Sequence, residues 1–313
     1  MHLDPSIILA GAIVGFAVGL TGVGGGALMT PVLVLLLHVQ PSAAVSSDLV
    51  ASLFMKPVGG AVHLRRKTVH LGMVGWLALG AVPAAFAGAA FLNLAVHGKA
   101  LQKDIKIALG IALLLAVVGI VLRSVTAKRA AATEMRSLDH RVSVRRVPTL
   151  LVGIFGGFIV GMTSVGSGSL MIVALMFLYP ALTGSELVGT DLVQSVPLVA
   201  AAALGQMLFG HVQLGLTVSL IIGSIPAVYL GARLSSVAPT ELLRPAIAVL
   251  LLISALRLVN VGATGLGIAA AAATASFVAI AVVRRIRRTG ADEVEVSPAH
   301  PSLNLAGALE DTA

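Results

Sequence analysis

Two glycine-rich stretches carry the residue types needed to bind an anion inside a membrane. Residues 15–29 read GFAVGLTGVGGGALM, and residues 157–171 read GFIVGMTSVGSGSLM. Glycine permits backbone conformations at which a helix can stop, turn and restart. A helix that restarts in mid-membrane presents its first N–H groups and the positive end of its dipole, and both attract anions. The sequence therefore predicts half-helices after the two clusters, over 27–37 and 169–177.

The residues of the two clusters are the predicted substrate-binding residues. A broken helix is tolerated in hydrocarbon only where protein or a water-filled cavity covers it, so both breaks are expected to face a cavity. Hydroxyl groups there can donate to an oxyanion, and the second copy has three serines where the first has none. The predicted binding set is Thr21, Gly22, Gly24, Gly25, Gly26, Thr163, Ser164, Gly166, Ser167, Gly168 and Ser169.

The glycines have three other possible interpretations: helix packing, a phosphate loop and a dinucleotide loop. They could serve only as small-residue contacts between helices, the GxxxG pattern that Gly15–Gly19 and Gly157–Gly161 fit. Two copies that both extend into TxVGxG favour the helix break, because packing alone does not require the extension. A phosphate loop needs Gly-Lys-Ser/Thr and a dinucleotide loop needs GxGxxG after a strand, and neither pattern is met.

Three charged side chains lie within apolar runs. Lys56 is expected to face the bundle interior and attract an anionic substrate, with snorkelling to an interface as the alternative. Asp48 and Asp191 follow hydroxyl residues at equivalent points of the two halves. Helix capping is one explanation for both aspartates. The alternative hypothesis is that one of them binds a proton or cation and couples it to anion movement.

The remaining polar residues of the spans carry weaker signals. Gln194, Ser195 and Gln206 are candidate cavity-lining residues, and polar cross-linking between helices explains them equally well. The eight histidines show no metal-ligand spacing, so we predict no metal site and no cofactor. The absence of Cys excludes disulfides and thiolate chemistry.

The elements that position these residues are membrane helices. The 313 residues are 58% hydrophobic and 11% charged, and the mean hydropathy is +1.02, outside the range of soluble domains. Low aromatic content and long uncharged runs predict an all-α integral membrane protein, not an outer-membrane barrel. The net charge of +8 is explained by Lys and Arg in cytoplasmic loops, and nucleic acid is not an expected partner.

Nine apolar segments divide the chain and predict about 8–9 transmembrane segments in the lipid bilayer. They lie at about 6–38, 43–64, 69–96, 104–123, 148–180, 187–210, 213–233, 239–259 and 262–283. No cleaved signal peptide is expected. The predicted organisation is a first repeat over 1–124, a basic cytoplasmic loop over 125–147, a second repeat over 148–260, an extra apolar segment with a basic end over 261–288, and a disordered cytoplasmic tail over 289–313.

An internal duplication relates the two halves. The glycine motif recurs in order, and SDLV at 47–50, Gly80 and Pro83 then match TDLV at 190–193, Gly223 and Pro226. If both long segments fold back at their glycines, most Lys and Arg fall on one side of the membrane, whereas nine simple crossings give almost no bias. The sequence therefore predicts inverted repeats with two re-entrant hairpins.

The paired motifs resemble those of the sulfite exporter TauE/SafE family of membrane transporters. The resemblance rests on residues 15–33 and 157–172 and on the Asp, Gly and Pro landmarks after each, and it covers roughly residues 7–260. It implies transport of a sulfur-containing anion such as sulfite or a sulfonate, without identifying the substrate.

The function expected from the sequence is secondary transport of a small anion by alternating access in the cell (inner) membrane. A proton or cation is the candidate coupling partner, and the direction of transport and the oligomeric state, including a homo-oligomer, are left open. An anion channel is the closest alternative, and a structural membrane subunit is a weaker one. An intramembrane enzyme is not expected, because the spans contain no HExxH and no paired Asp–His arrangement.

Overall fold

A computed structural model describes residues 3–21, 24–95, 98–134, 143–234 and 240–260, and these ranges are helical apart from short connections and one isolated bridge between Gly166 and Gly168. They belong to a unit that spans Met1–Ala270, and a second unit, Ala271–Ala313, lies outside the described residues. Ten helices follow one another: α1 (Pro5–Thr21), α2 (Gly25–Leu35), α3 (Pro41–Arg65), α4 (Leu71–Ala95), α5 (Gly98–Glu134), α6 (Arg146–Thr163), α7 (Leu170–Leu178), α8 (Gly184–Phe209), α9 (Leu214–Leu234) and α10 (Thr240–Leu258).

The helices match the first eight predicted apolar segments, and the two long segments are each divided at their glycine cluster. Within the described ranges, five helices contain stretches long and apolar enough to cross a membrane, namely Leu71–Phe91, Gln102–Val121, Arg146–Thr163, Gly184–Phe209 and Leu214–Leu234. The expectations for Gly22, for the segment 262–283 and for the tail 289–313 fall outside the described residues. Helix α5 continues into the predicted loop 125–147, of which 135–142 is also outside them.

Glycine lets two pairs of helices pack backbone against backbone. Helix α1 packs along α9 and helix α4 along α6. A Cβ on Gly15 would collide with the backbone of Ser224, and a Cβ on Gly157 would collide with that of Ala81. The same kind of contact recurs along both pairs at Gly19, Gly80, Gly88, Gly161, Gly223 and Gly231. The chain therefore contains both the GxxxG packing between helices and the two helix breaks.

Helices α3 and α8 pack against each other and run in opposite directions. Near the start of α3, Ser47 Oγ accepts a hydrogen bond from the Gln213 N–H just after α8, at 3.3 Å. Beyond the end of α3, the His70 N–H donates to Thr190 Oγ1 in the second turn of α8, at 3.1 Å. Ser47 and Thr190 occupy equivalent places in the two halves of the sequence, as do His70 and Gln213, so the two bonds correspond to each other.

Helix α7 turns back along α6 after the second glycine cluster. Tyr179, which follows α7, accepts a hydrogen bond from the Arg145 N–H at 2.8 Å, and its hydroxyl lies 2.6 Å from Thr149 Oγ1. Arg145 and Thr149 are at the start of α6. Both ends of the α6–α7 segment therefore lie together, as a re-entrant hairpin requires.

Large apolar side chains lie both inside the bundle and on its outer surface. Met29, Leu33, Leu49, Leu77 and Leu113 are fully buried. Many others point outward, including Leu9, Phe91, Phe155, Phe177, Leu208 and Leu214. An outer surface of this kind is suited to lipid, because lipid tails are as apolar as the side chains that face them.

Candidate functional site

The two helix breaks contact each other inside the bundle. A Cβ on Gly24 would collide with the carbonyl oxygen of Ser167, and a Cβ on Gly26 would collide with that of Ser164. A Cβ on Gly25, between them, would make only ordinary van der Waals contacts with the side chains of Ser52 and Met55, at 3.6 Å. Gly24 and Gly26 are therefore needed for the close approach of the two breaks, whereas Gly25 is not needed for that reason.

The second break is held in conformations that favour glycine. Ser164 caps α6 with φ +59°, and Gly166 and Gly168 have φ +126° and +92°. The Leu170 N–H and the Met171 N–H both donate to the Gly166 carbonyl, at 2.9 and 3.2 Å. The α7 half-helix thus begins one residue after the predicted position, and two of its first N–H groups are paired within the break itself.

Lys56 lies on α3 and reaches the second break. Its side chain is 8% exposed, and its ammonium donates a hydrogen bond to Ser167 Oγ. The side chain is directed into the bundle and not toward an interface, which argues against snorkelling.

Asp48 lies two turns before Lys56 on α3 and bonds to both breaks. Its Oδ2 accepts hydrogen bonds from Thr30 Oγ1 in α2, at 2.8 Å, and from Ser164 Oγ, at 2.6 Å. The two hydroxyl oxygens are themselves 2.8 Å apart. Asp48, Thr30 and Ser164 are all buried. We refer to these three residues as the Asp48 ring.

Asp191 and Gln194 form the corresponding polar group on α8. Gln194 Nε2 donates to Asp191 Oδ1 at 2.9 Å, and both side chains are buried. Ser195 donates to the Leu192 carbonyl of its own helix, at 2.9 Å. This group lies beside α3, because Leu192 and Val193 of α8 are the neighbours of Gly60, one turn beyond Lys56.

Gln206 lies toward the end of α8 and reaches Gly161, one turn before Ser164. Its side chain accepts from Ser46 Oγ at 2.8 Å and from Asn93 Nδ2 at 3.1 Å, and it donates to the Gly161 carbonyl at 3.0 Å. These bonds connect α8 to α3, α4 and α6. The placement favours the cross-linking interpretation of Gln206 over the cavity-lining one.

The other predicted hydroxyls differ in how they are used. Thr21 Oγ1 and Thr163 Oγ1 each donate to the carbonyl four residues back in their own helices, at 2.7 Å. Ser169 Oγ is buried without a hydrogen-bond partner among the described residues. Ser169 is therefore the hydroxyl of the second break that is available to a ligand.

Thr30 is the site residue that the sequence reasoning missed. The signal was helical spacing: Thr30 follows Gly26 by four residues, so both lie on one face of the half-helix. Likewise Asp48, Ser52 and Lys56 recur every four residues along α3. A polar stripe at this spacing on a buried helix indicates a face that meets other polar groups.

Comparisons with known proteins agree with the sequence motifs. The family model described as "Sulfite exporter TauE/SafE" matches residues 7–258. The chain is 39% identical over 259 residues to "Probable membrane transporter protein YjnA" of Bacillus subtilis (strain 168), covering 82% of this chain and all of that protein. It is 24% identical over 249 residues to "Probable membrane transporter protein YdhB" of the same organism, covering 77% of this chain and 94% of that protein. No solved structure matches.

Proposed function

Because the chain belongs to the sulfite exporter TauE/SafE family of membrane transporters, we propose that it carries a small anion through the contact between its two helix breaks. A sulfur-containing oxyanion or an organosulfonate is the proposed substrate class. The chain is a multi-pass membrane protein, and the cell (inner) membrane is its proposed location. The family name supports the substrate class, and the residues of the site support the negative charge of the substrate.

The buried ammonium of Lys56 is the observation that carries this proposal. A positive charge within a membrane bundle is unfavourable unless it is paired or recruits an anion. Lys56 donates to the Ser167 hydroxyl, and the Ser167 backbone lies against Gly24 of the first break. Ammonium, hydroxyl and backbone N–H groups are the donors that an oxyanion requires.

We further propose that the two halves, α1–α5 and α6–α10, are inverted repeats that move against each other. The antiparallel pairing of α3 with α8 supports inversion. So does the exchanged packing of α1 with α9 and of α4 with α6. A site at the interface of two inverted repeats can open to either side by rocking one repeat against the other.

Transport can be tested in proteoliposomes with the purified protein. We expect uptake of sulfite or methanesulfonate that saturates and shows counterflow, with acetate moved more slowly. Lys56→Met keeps the apolar length of the side chain but removes its charge, and we expect at least a tenfold loss of uptake. Lys103→Met, an exposed position on α5, is the matched control and should transport normally. Equal uptake by both variants would contradict the proposed site, and uptake without saturation or counterflow would indicate a channel.

Inversion can be tested by labelling single cysteines, since the chain has none of its own. Gln40→Cys and Ser185→Cys occupy exposed positions before α3 and at the start of α8. An impermeant maleimide should label position 40 from outside the cell and position 185 only from inside. Labelling of both positions from the same side would contradict the inverted arrangement.

A further inference from the structure

We propose that a proton carried on Asp48 accompanies the transported anion. This inference rests on the proposed function, because it concerns the same site. It names a co-substrate for that site and assigns different roles to two aspartates that the duplication made equivalent.

The Asp48 ring has more short oxygen–oxygen contacts than its two hydroxyls have hydrogen atoms. The ring contains three oxygen–oxygen contacts of 2.8, 2.6 and 2.8 Å, and each is short enough for a hydrogen bond. The two hydroxyls supply one hydrogen each. If Asp48 is ionised, both hydroxyl hydrogens point at its carboxylate. The oxygens of Thr30 and Ser164 then face each other with no hydrogen atom between them.

A protonated Asp48 supplies the third hydrogen. The carboxyl then donates to one hydroxyl, that hydroxyl donates to the second, and the second donates back to Asp48 Oδ2. Each member donates once and accepts once, and a ring of this kind strengthens each of its bonds. The observed geometry therefore fits the protonated form of Asp48 with every contact satisfied.

The buried charges must balance. Among the described residues, the buried charged side chains are Asp48, Lys56 and Asp191. Asp48 and Lys56 are two turns apart on α3, and Asp191 lies on the part of α8 that packs beside Gly60 of α3. With both aspartates ionised the group is net negative, and a bound anion would add to an uncompensated buried charge, which is strongly unfavourable. A proton on Asp48 makes the resident charges balance before the anion arrives.

Asp191 has different surroundings from Asp48. The residues that correspond in sequence to Thr30 and Ser164 are Ile172 and Gly22, and neither has a hydroxyl. Asp191 Oδ1 instead accepts a hydrogen bond from the amide of Gln194 at 2.9 Å. An N–H donor stabilises the ionised form of a carboxyl. The negative charge that balances Lys56 is therefore assigned to Asp191, and the transported proton to Asp48.

The transport step balances without any further reactant. Asp48 takes up one proton from the side on which the anion enters, and it loses that proton to the side on which the anion leaves. On deprotonation, the Thr30 and Ser164 hydroxyls both turn to donate to Oδ2. One proton and one anion cross together, so a pH gradient can drive anion movement.

Infrared spectroscopy of the purified full-length protein tests the proton on Asp48 directly. At neutral pH, the wild type should show the carbonyl stretching band of a protonated carboxylic acid, and Asp48→Asn should lose it. Asp191→Asn, which removes the equivalent carboxyl, is the matched control and should keep the band. Thr30→Val should shift the band by opening the ring, which keeps the test valid if Asp48→Asn folds poorly. A wild-type spectrum without the band would overturn the inference.

Proton movement is measured in proteoliposomes that contain a trapped pH-sensitive dye. The probe is methanesulfonate, a strong-acid anion that carries no proton of its own near neutral pH. An inward gradient of methanesulfonate should acidify the lumen of vesicles that contain the wild type. It should not acidify the lumen of vesicles that contain Asp48→Asn. Methanesulfonate uptake without acidification would overturn proton coupling and leave the proposed anion transport intact. If the wild type moves no methanesulfonate, the sulfonate part of the proposed function fails, and the infrared band still decides the state of Asp48.

Discussion

The two helix breaks have glycines at matching sequence positions and differ in their backbone conformation and in their side chains. The first break contributes Gly24 and Gly26, which bring its backbone against the second break. The second contributes Ser164 and Ser167, whose hydroxyls bond to Asp48 and Lys56 of the first half. Both breaks keep glycines that can stop a helix, while hydroxyls of the second break bond to charged residues of α3. The two breaks are therefore alike in their glycines and different in their backbone conformation and their chemistry.

The largest expected effect tests the backbone part of this comparison. Gly26→Ala places a Cβ against the Ser164 carbonyl, and relieving such a clash in a packed interior costs about 3 kcal/mol. We expect a large loss of folded protein on size-exclusion chromatography and a lower thermal unfolding temperature in detergent. Gly25→Ala is the matched control, since its Cβ meets only ordinary contacts. Equal stability of the two variants would show that the breaks do not touch as described.

A smaller effect is expected from the serines of the second break. Ser167→Ala removes the hydroxyl that accepts from Lys56, and a hydrogen bond to a charged group contributes ~1.5–3 kcal/mol. Ser169→Ala removes a buried hydroxyl that has no partner among the described residues, so it should leave stability unchanged or slightly raised. The measurement is thermal unfolding in detergent for both variants. The reverse order of stability would contradict the assignment of Ser167 to Lys56.

The smallest expected effect tests the asymmetry of the aspartates. Asp191→Asn removes the negative charge that we assign to the balance of Lys56 and leaves the ammonium free to attract the substrate. We expect the KM for the transported anion in proteoliposomes to fall severalfold, corresponding to roughly 1 kcal/mol for a charge pair near a partly polar site. Asp48→Asn should show no such gain, because Asp48 is already neutral when the anion binds. A gain of affinity in both variants would mean that the two aspartates are equivalent.

The positions of the helix breaks could be predicted from the sequence. The predicted half-helices over 27–37 and 169–177 correspond to α2 (Gly25–Leu35) and α7 (Leu170–Leu178). A glycine cluster within a membrane-length apolar run is explained by close helix packing or by a helix break. Two copies that share the same extension favour the break. The burial of Lys56 was expected for the same reason, since a single ammonium in an apolar helix must find a polar environment.

The contacts between elements could not be predicted in the same way. A repeat indicates that the two breaks are equivalent, but it does not say that Gly26 meets Ser164 or that Thr30 completes a ring around Asp48. Gln206 has the same polar signal as Gln194, and only the packing of α8 shows that it connects α8 to α3 and α6. Local chemistry predicts that a buried polar group has a partner, and the packing of the helices decides which partner it has.

We propose that an anion binds where the two breaks meet at Lys56. A crystal structure of the full-length protein with selenite, an analogue of sulfite with a strong anomalous signal, would locate that anion directly. We predict an anomalous peak within hydrogen-bonding distance of Lys56 Nζ and of the Ser167 or Ser169 hydroxyl. A peak elsewhere in the bundle, or no peak at Lys56 although selenite competes with the transported anion, would contradict it.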